Sequence, residues 1–527
     1  MASTYDKTFV SESKTPQPKR IVICCDGTWQ SAISLDPKQG CPSNVARLSR
    51  VLAKAGTDKD TKEWQQIVYY DAGVGTGEIT DYEKKRQGSQ GIGLLENVLE
   101  AYNFIVNNYS HGDELFFFGF SRGAYTVRSA AGLVSQLGVL KPASMRSFLK
   151  LFSEYIKFKD FTKQFIDSRH GQEFARENPD YFITQNTVIQ IKVIGVWDTV
   201  GALGVPDVGH FYRWDNSSHR KAYRFHDTEL NERILHAYQA VALDECRSPF
   251  SPSVWKIKTD NKITKLCQCW FPGVHINVGG GSPANADEKD PKGDREQLAS
   301  ISYAWMLDRI RPHLALDETA LQAQKSDMLE AAKPRSTGKP EPQGWFWNSV
   351  NYFKDTVAGS RVAHQAGYAL GLIEDSHSWE YDLMGFPEVR TPNRYHDWKA
   401  GEYTVERIHP SVYFRQEYQR ELQKTHKNLK IYEPAALKGW VRVYEKHGMG
   451  IGMKERKGWT WIKYKADNKG NRLLDGKGEP IVENSLWEFE IGNMPADKSV
   501  ERWLIDNSWV ESIHKEVQMG WRGSESK

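Results

Sequence analysis

The residue with the clearest chemical potential in this chain is a serine at the centre of a glycine motif. Residues 119–123 read Gly-Phe-Ser-Arg-Gly, with Ser121 in the middle position. A serine at a sharp turn between a strand and a helix is exposed for nucleophilic attack, and such a turn tolerates only small residues beside it. The motif predicts Ser121 as an acyl-transfer nucleophile. The alternative is a serine that caps an ordinary helix.

A serine nucleophile needs a base, and the base needs an acid that orients it. Asp198 and His275 follow Ser121, and Ser–Asp–His is the order of the α/β-hydrolases. His275 would accept the Ser121 proton and return it to the leaving group, while Asp198 would hold the imidazole. Asp244 is the competing acid, but we expect it to lie in a helix and to pair with Arg247.

The oxyanion of an acyl-transfer intermediate needs two backbone N–H donors. Arg122, which follows the nucleophile, is expected to supply one, and Gly27 or Thr28 the other. Asp26 precedes this second turn, and capping the turn is its alternative role. His275 also has a simpler interpretation as a hydrogen-bonded loop histidine, although glycines on both sides of it indicate close backbone approach.

Each candidate follows a segment that is typical of a buried strand. The predicted strands are residues 21–25, 66–70, 115–118, 188–197 and 265–271. Apolar residues at helical spacing over 95–109 and 124–134 predict two helices, the second ending at Gly138. This alternation predicts an α/β fold with a mostly parallel sheet and helices on both faces. Ligands bind at the carboxyl ends of such strands, where the candidates lie.

Six segments in a fixed order resemble an uncharacterised α/β-hydrolase domain family that includes the type VI secretion phospholipase effectors. They are residues 22–29, 43–47, 70–76, 119–124, 196–200 and 270–275. The resemblance covers roughly residues 20–310, with weaker echoes at 408–412. It implies an α/β-hydrolase fold with Ser121 as nucleophile, Asp198 as acid and His275 as base. The characterised bacterial members cleave acyl esters of membrane phospholipids.

The chain departs from the bacterial members immediately after the histidine. Ile276 and Asn277 stand where those members carry Ser-Asp. This form, together with the aromatic carboxyl-terminal region, looks more like the fungal branch of the family, whose substrates the resemblance leaves open. The loss of a carboxylate beside the base leaves the triad intact but affects the local polarity of the site.

These observations predict a serine ester hydrolase that cleaves a lipid or phospholipid-like acyl ester through an acyl-enzyme, without cofactor or metal. The alternatives are an esterase of small soluble esters and a non-catalytic binding protein of the same fold. A phosphatase of the Asp-x-Asp-Gly-Thr type is disfavoured, because Cys24 replaces its nucleophilic aspartate. Glycines over 73–77 lack the spacing of a nucleotide-binding motif and indicate a turn.

Composition argues against several other classes of protein. A net charge of +3 over 527 residues argues against a nucleic-acid partner. No stretch approaches the roughly 18 apolar residues of a transmembrane helix, and residues 1–20 lack the apolar stretch of a signal peptide. The six cysteines suit buried thiols better than a zinc site. We expect a reduced, cytoplasmic protein that contacts membranes peripherally, and the oligomeric state stays open.

Length and composition divide the chain into five predicted segments. They are a flexible N-terminal segment (1–19), the catalytic domain (20–330), a flexible excursion (331–345), a helical extension with a helix near 412–427 (346–430) and an aromatic-rich accessory region (431–527). Polar residues 463–478 predict a hairpin tip. We expect the aromatic side chains of the accessory region to pack onto the catalytic core rather than to form a lid or an acyl-chain platform.

Overall fold

An eight-stranded sheet forms the centre of the protein. The computed structural model describes residues 17–27, 42–73, 92–158, 164–182, 189–200, 229–281, 297–332, 367–373, 387–396, 401–425, 427, 429–447, 456–491 and 497–507. In spatial order the strands are β2 (Ala55–Thr57), β3 (Glu63–Asp71), β1 (Lys19–Cys25), β4 (Glu114–Phe120), β5 (Ile191–Trp197), β7 (Ile234–Ala242), β9 (Lys265–Phe271) and β11 (Glu406–Ile408). Only the β2–β3 pair is antiparallel. The predicted mostly parallel α/β sheet is confirmed.

The register of this sheet brings the candidate residues to one edge. Cys25 of β1 pairs with Gly119 of β4, and Phe120 of β4 pairs with Trp197 of β5. Ala242, the last residue of β7, pairs with Phe271, the last residue of β9. The segments that follow β1, β4, β5 and β9 therefore leave the sheet at the same carboxyl edge, as expected for parallel strands.

Helices cover both faces of the sheet and account for its apolar strands. One face is covered by α2 (Ile92–Asn108), α3 (Ser121–Leu137), α4 (Phe148–Lys157) and α5 (Arg169–Glu177). The other is covered by α1 (Asn44–Val51), α7 (Gln297–Ile310), α8 (Glu318–Ala332), α9 (Ser411–Thr425) and α10 (Val500–Asp506). In β1, Ile21 and Ile23 contribute to one core and Val22 and Cys24 to the other. Burial on both faces explains continuous apolar strands.

The two predicted helices are present in the structure, and their carboxyl ends lie close to the predicted positions. Helix α2 contains the predicted 95–109 segment up to Asn108, and α3 ends at Leu137. Gly138 follows with a φ of 73°, a conformation that favours glycine at a helix carboxyl end. The predicted helix near 412–427 corresponds to α9.

Two elements contradict the sequence-based expectations. The prediction of a helix around Asp244 is wrong, because β7 continues to Ala242 and a bend follows at 243–244. The expected helical extension contributes strands as well as α9, since β11 joins the central sheet beside β9. Polar residues interrupt the apolar pattern of β7, and β11 has only three residues. Neither strand therefore has a strong local signal.

Two smaller sheets flank the central one. The first contains β6 (Glu229–Leu230), β8 (Lys256–Lys258) and β10 (Glu402–Tyr403). The second contains β12 (Trp440–His447), β13 (Arg456–Tyr464) and β14 (Val482–Trp487), all antiparallel. The hairpin predicted at 463–478 is confirmed, because it connects β13 to β14.

The second small sheet packs against the β11 edge of the central sheet. Trp461 of β13 is 3% exposed and shares an apolar cluster with Trp270 of β9 and Ile408 of β11. Arg442 lies between the rings of Tyr413 and Trp459, 3.7 Å and 3.6 Å from their centroids. These aromatic side chains pack onto the core, as expected for the accessory region. The predicted flexible segments lie largely outside the described residues, and the five-segment division stays a prediction.

The described helices also bear on membrane association. None of them combines the length and the apolarity that crossing a bilayer requires.

Candidate active site

Ser121 lies at the junction between β4 and α3 in a strained conformation. Its φ is 56°, in the left-handed region that residues other than glycine rarely adopt. The flanking glycines make the turn possible: a Cβ on Gly119 would lie 2.5 Å from the Gly123 oxygen, and one on Gly123 would lie 2.2 Å from the Cys25 oxygen. Phe120, not Ser121, is the N-cap of α3. The turn therefore has the geometry predicted for a nucleophile elbow.

His275 is the first residue of the short helix α6 (His275–Gly279), which begins shortly after the carboxyl end of β9. Its Nδ1 lies 2.6 Å from Asp198 Oδ2, and the side chain of His275 is 7% exposed. Because a carboxylate accepts the Nδ1 proton, Nε2 carries the lone pair in the neutral ring. The rings of Phe120 and Phe250 lie 4.7 Å and 4.9 Å from the imidazole centroid. Phe120 therefore places the imidazole next to the elbow.

Asp198 is fully buried just after β5, and its carboxylate accepts four hydrogen bonds from three residues, of which His275 is one. The backbone N–H of Ala242 donates to Oδ1 at 2.9 Å, and Arg390 donates to Oδ1 at 2.6 Å and to Oδ2 at 3.0 Å. Burial by itself would raise the pKa of Asp198, but the Arg390 charge and the His275 hydrogen bond outweigh it. The pKa is held well below its ordinary value. Asp198 is therefore ionised at neutral pH.

Arg390 is a site residue that the sequence analysis did not find. It lies in the segment 387–396, and its side chain is 3% exposed. Nη1 also donates to the Ala242 carbonyl at 2.7 Å, and Nη2 to the Phe250 carbonyl at 2.6 Å. A positive charge is what a buried carboxylate requires. No local pattern marks this arginine among the basic residues of the chain.

Asp244 does not occupy the position expected of the catalytic acid. Its Oδ2 accepts hydrogen bonds from the Gly273 N–H at 2.6 Å and from the Tyr432 hydroxyl at 2.6 Å. Burial raises the pKa of Asp244 to about 6. The carboxylate thus stabilises the backbone that leads into α6, whereas Asp198 contacts the histidine ring.

The predicted pairing of Asp244 with Arg247 is wrong, because Arg247 binds Glu245 instead. Arg247 donates from Nε to Oε1 and from Nη2 to Oε2, both at 2.9 Å. Burial would raise the pKa of Glu245, but the hydrogen bonds and charge of Arg247 lower it to about 2. Glu245 also accepts the backbone N–H of His275 at 3.2 Å. An ionised carboxylate therefore stabilises the start of α6, where backbone N–H groups lack helical partners.

The turn after β1 lies against Ser121, the position expected of an oxyanion loop. A Cβ on Gly27 would lie 3.3 Å from Ser121 Cβ. The Gly27 N–H itself donates to Asp26 Oδ1 at 2.7 Å. Thr28 lies outside the described residues, and Arg122 lies in the first turn of α3. The Gly27 N–H therefore already has an acceptor in this structure.

Asp26 caps the turn, which is the alternative role predicted for it. Besides the Gly27 N–H, its carboxylate accepts the Ser43 hydroxyl at 2.5 Å and the Tyr70 hydroxyl at 2.7 Å. Burial raises its pKa above the ordinary value. Asp26 therefore connects the turn to α1 and β3.

The described residues contain no group of three or more His, Cys, Asp or Glu side chains arranged to hold a metal ion. Cys24, Cys25 and Cys269 are buried in strands as free thiols. Burial raises the pKa of the Cys24 thiol well above its usual range. A thiol in that state is a poor ligand and a poor nucleophile.

A mostly parallel sheet with a strained serine and a buried histidine–aspartate pair at its carboxyl edge defines an α/β-hydrolase-like protein. The chain belongs to the family described as type VI secretion system phospholipase effectors, Tle1-like, whose catalytic-domain model matches residues 19–309, more than half of the chain. This membership confirms the resemblance found in the sequence.

Similar proteins come from yeast and from bacteria. Uncharacterized protein YEL023C of Saccharomyces cerevisiae is 22% identical over 284 residues, which are 50% of this chain and 38% of the yeast protein. The Tle1 effector solved with the VgrG spike of the type 6 secretion system is 19% identical with a TM-score of 0.28, covering 53% of this chain and 55% of its own. An uncharacterized Pseudomonas aeruginosa protein is 15% identical with a TM-score of 0.33, covering 71% and 62%. The chain thus spans less than two thirds of each relative. The yeast relative agrees with the fungal branch.

Proposed function

We propose that this protein is a serine hydrolase that cleaves an acyl ester of a lipid through an acyl-enzyme on Ser121. The observation that carries the proposal is the buried Asp198–His275 pair, 2.6 Å apart, whose imidazole lies 4.7 Å from the ring of Phe120, the residue directly before a serine with a φ of 56°. A strained serine next to an oriented imidazole is the arrangement that acyl transfer requires. Family membership supports the lipid ester as the substrate class.

The chemistry follows from the roles of the three side chains. Ser121 Oγ attacks the ester carbonyl while His275 Nε2 removes its proton, and the imidazolium returns that proton to the leaving alcohol. Asp198 stabilises the imidazolium without taking up its proton. Water then attacks the acyl-enzyme, and His275 again acts as base, so that the acid is released and Ser121 is regenerated.

Stabilisation of the oxyanion is the part of this proposal that rests on backbone groups. The Arg122 N–H is the first expected donor, and the turn with Gly27 and Thr28 supplies the second. Because Asp26 accepts the Gly27 N–H, Thr28 is the preferred second donor.

A serine-directed fluorophosphonate probe tests the nucleophile. We expect labelling of the wild type and none of Ser121→Ala. Ser135→Ala is the matched control: this serine lies in the same helix, is buried, and its hydroxyl has no hydrogen-bond partner among the described residues. The control should label like the wild type. A folded wild type that resists the probe would support the alternative of a non-catalytic binding protein.

The substrate class needs a separate experiment. We expect release of fatty acid from phospholipid vesicles, with peripheral contact between the protein and the bilayer and with the cytoplasm as its place of action. Turnover of short soluble esters without any hydrolysis of vesicle lipid would contradict the lipid assignment and favour the small-ester alternative. Ser121→Ala is the blank in both assays.

A further inference from the structure

We propose that Arg390 is a positioning residue for the catalytic acid: it fixes both carboxylate oxygens of Asp198 and thereby sets the orientation and basicity of His275. The inference rests on the proposed function and adds to it a residue from outside the matched family region, which ends at residue 309. Arg390 lies 192 positions after Asp198 in the chain.

The guanidinium is held in a geometry that only arginine can provide. Nη1 and Nη2 each donate to a different oxygen of Asp198, at 2.6 Å and 3.0 Å. Each of these nitrogens also donates to a backbone carbonyl, Ala242 for Nη1 and Phe250 for Nη2. A planar fork satisfies four acceptors at once, whereas the single nitrogen of lysine does not reproduce this pattern.

These contacts place Arg390 behind the acid and not in contact with substrate. Its side chain is 3% exposed and that of Asp198 is fully buried. Both terminal nitrogens are already engaged by protein oxygens. Arg390 therefore acts through Asp198, and a direct role in binding a substrate headgroup is disfavoured.

The charge of Arg390 has a predictable effect on catalysis. A buried carboxylate without a counter-charge favours its protonated form, in which it no longer stabilises an imidazolium. If Asp198 stays ionised without Arg390, its full charge favours the protonated imidazole, which is not a base. Protonation of Asp198 and protonation of the imidazole both remove the active form at a higher pH than in the wild type. The acidic limb of the pH profile of kcat/KM therefore moves to higher pH.

Hydrogen bonds to β11 and to the second small sheet hold the segment that carries Arg390 in place. The backbone N–H of Asn393 donates to Glu406 Oε2 at 2.8 Å. The side-chain amide of Asn393 donates to Asn484 Oδ1 at 2.6 Å and to the Ser485 carbonyl at 3.1 Å. Since Asn484 and Ser485 belong to β14, the accessory region supports the site through this connection.

The test is a double-mutant cycle on full-length protein, with fluorophosphonate labelling rate and the pH profile of kcat/KM as readouts. Arg390→Met is expected to slow labelling about 10- to 100-fold, as for residues that orient a reacting side chain. The acidic midpoint of its profile should move up by about one pH unit. Arg390→Lys, which keeps the charge but loses the fork, should fall between wild type and Arg390→Met. Arg394→Met, an exposed neighbour on the same segment, is the matched control and should leave both readouts unchanged.

The remaining two proteins of the double-mutant cycle are the single variant Asp198→Asn and the double variant Asp198→Asn/Arg390→Met. If Arg390 acts through Asp198, the double variant is no slower than Asp198→Asn, because the group that Arg390 positions is already lost. An additional 10- to 100-fold loss in the double variant would overturn the proposal. So would an Arg390→Met protein with the wild-type pH midpoint. Should Arg390→Met fail to fold, the two Asp198→Asn proteins decide alone. The double variant removes both charges of the buried pair, and in Asp198→Asn the guanidinium keeps its hydrogen bonds to the Ala242 and Phe250 carbonyls. Failure of the proposed function is distinguishable, because it appears as an unlabelled wild type.

Discussion

Asp198, which is fully buried, and Asp244, which is half-buried, both follow strand ends, yet of the two only Asp198 contacts the His275 ring. Asp198 Oδ2 lies 2.6 Å from Nδ1, whereas Asp244 accepts a backbone N–H from Gly273 and the Tyr432 hydroxyl. Their pKa values shift in opposite directions: the pKa of Asp198 is lowered, whereas that of Asp244 is raised to about 6. The difference lies in Arg390, which compensates the burial of Asp198 and has no counterpart of equal strength at Asp244.

Substitution of the two acids therefore separates their roles. Asp198→Asn should reduce kcat by about 10³- to 10⁴-fold, because an amide no longer stabilises the imidazolium or selects its tautomer. Asp244→Asn should cost less than about tenfold, because its amide oxygen still accepts the Gly273 N–H. Steady-state kinetics on a soluble ester at pH 7.5, about one pH unit above an ordinary histidine pKa, measures both. The opposite ranking would assign the acid to Asp244.

At the scale of elements, the junction of β4 and α3 depends on how closely the helix approaches β1. A Cβ on Gly123 would lie 2.2 Å from the Cys25 oxygen and 2.4 Å from the Asp26 oxygen. Both are backbone atoms at the end of a central strand, so they move only if the sheet deforms. The glycine therefore determines where the strained serine is held, in addition to permitting the turn.

Gly123→Ala should consequently displace α3 and disrupt the site. We expect a loss of about 1–3 kcal/mol in the free energy of unfolding, the usual cost of overpacking a close contact, together with loss of fluorophosphonate labelling. Gly476→Ala, in the hairpin between β13 and β14, has no atom within 4 Å of the added methyl group and is the control. It should change stability by less than about 0.5 kcal/mol. Urea denaturation compares the two, and equal stabilities would contradict the close-approach argument.

At the scale of the whole molecule, buried and half-buried ionisable groups join helix α10 to the elements around the central sheet. Asp308 of α7 accepts the Ser499 hydroxyl at 2.6 Å and the Val500 N–H at 2.7 Å. His409, which follows β11, lies 2.7 Å from Glu501 through Nε2. The described accessory region is thus part of one packed body with the hydrolase sheet, through polar contacts as well as apolar ones.

The pH dependence of stability reports on this connection. Burial raises the pKa of Asp308 to about 6, above the value of about 3.9 for an unfolded aspartate, so the folded state binds the proton first as pH falls. Wild type should therefore gain stability relative to Asp308→Asn between pH 7 and 3, by up to about 3 kcal/mol, with little further change at lower pH. Urea unfolding of both proteins across this range measures the difference. The opposing effect of His313, whose pKa burial lowers to about 4, is common to both proteins and cancels.

An exposed aspartate of α8 provides the control for this measurement. Asp327→Asn should give a stability curve parallel to that of the wild type, because an exposed carboxylate is solvated in both states. A constant difference between wild type and Asp308→Asn would contradict the assignment of a raised pKa to Asp308.

The sequence by itself determined the strands that end at the site, the helix after Ser121 and the identity of the histidine–aspartate pair. Those features are encoded locally, in apolar runs, helical spacing and glycines beside a serine. Only the tertiary structure decided that β7 and β11 complete the sheet and that Glu245 contacts the backbone of His275. Only the tertiary structure also showed that Arg390 pairs with Asp198. The partners in that ion pair are 192 residues apart, and the need for a counter-charge arises only when folding buries the carboxylate.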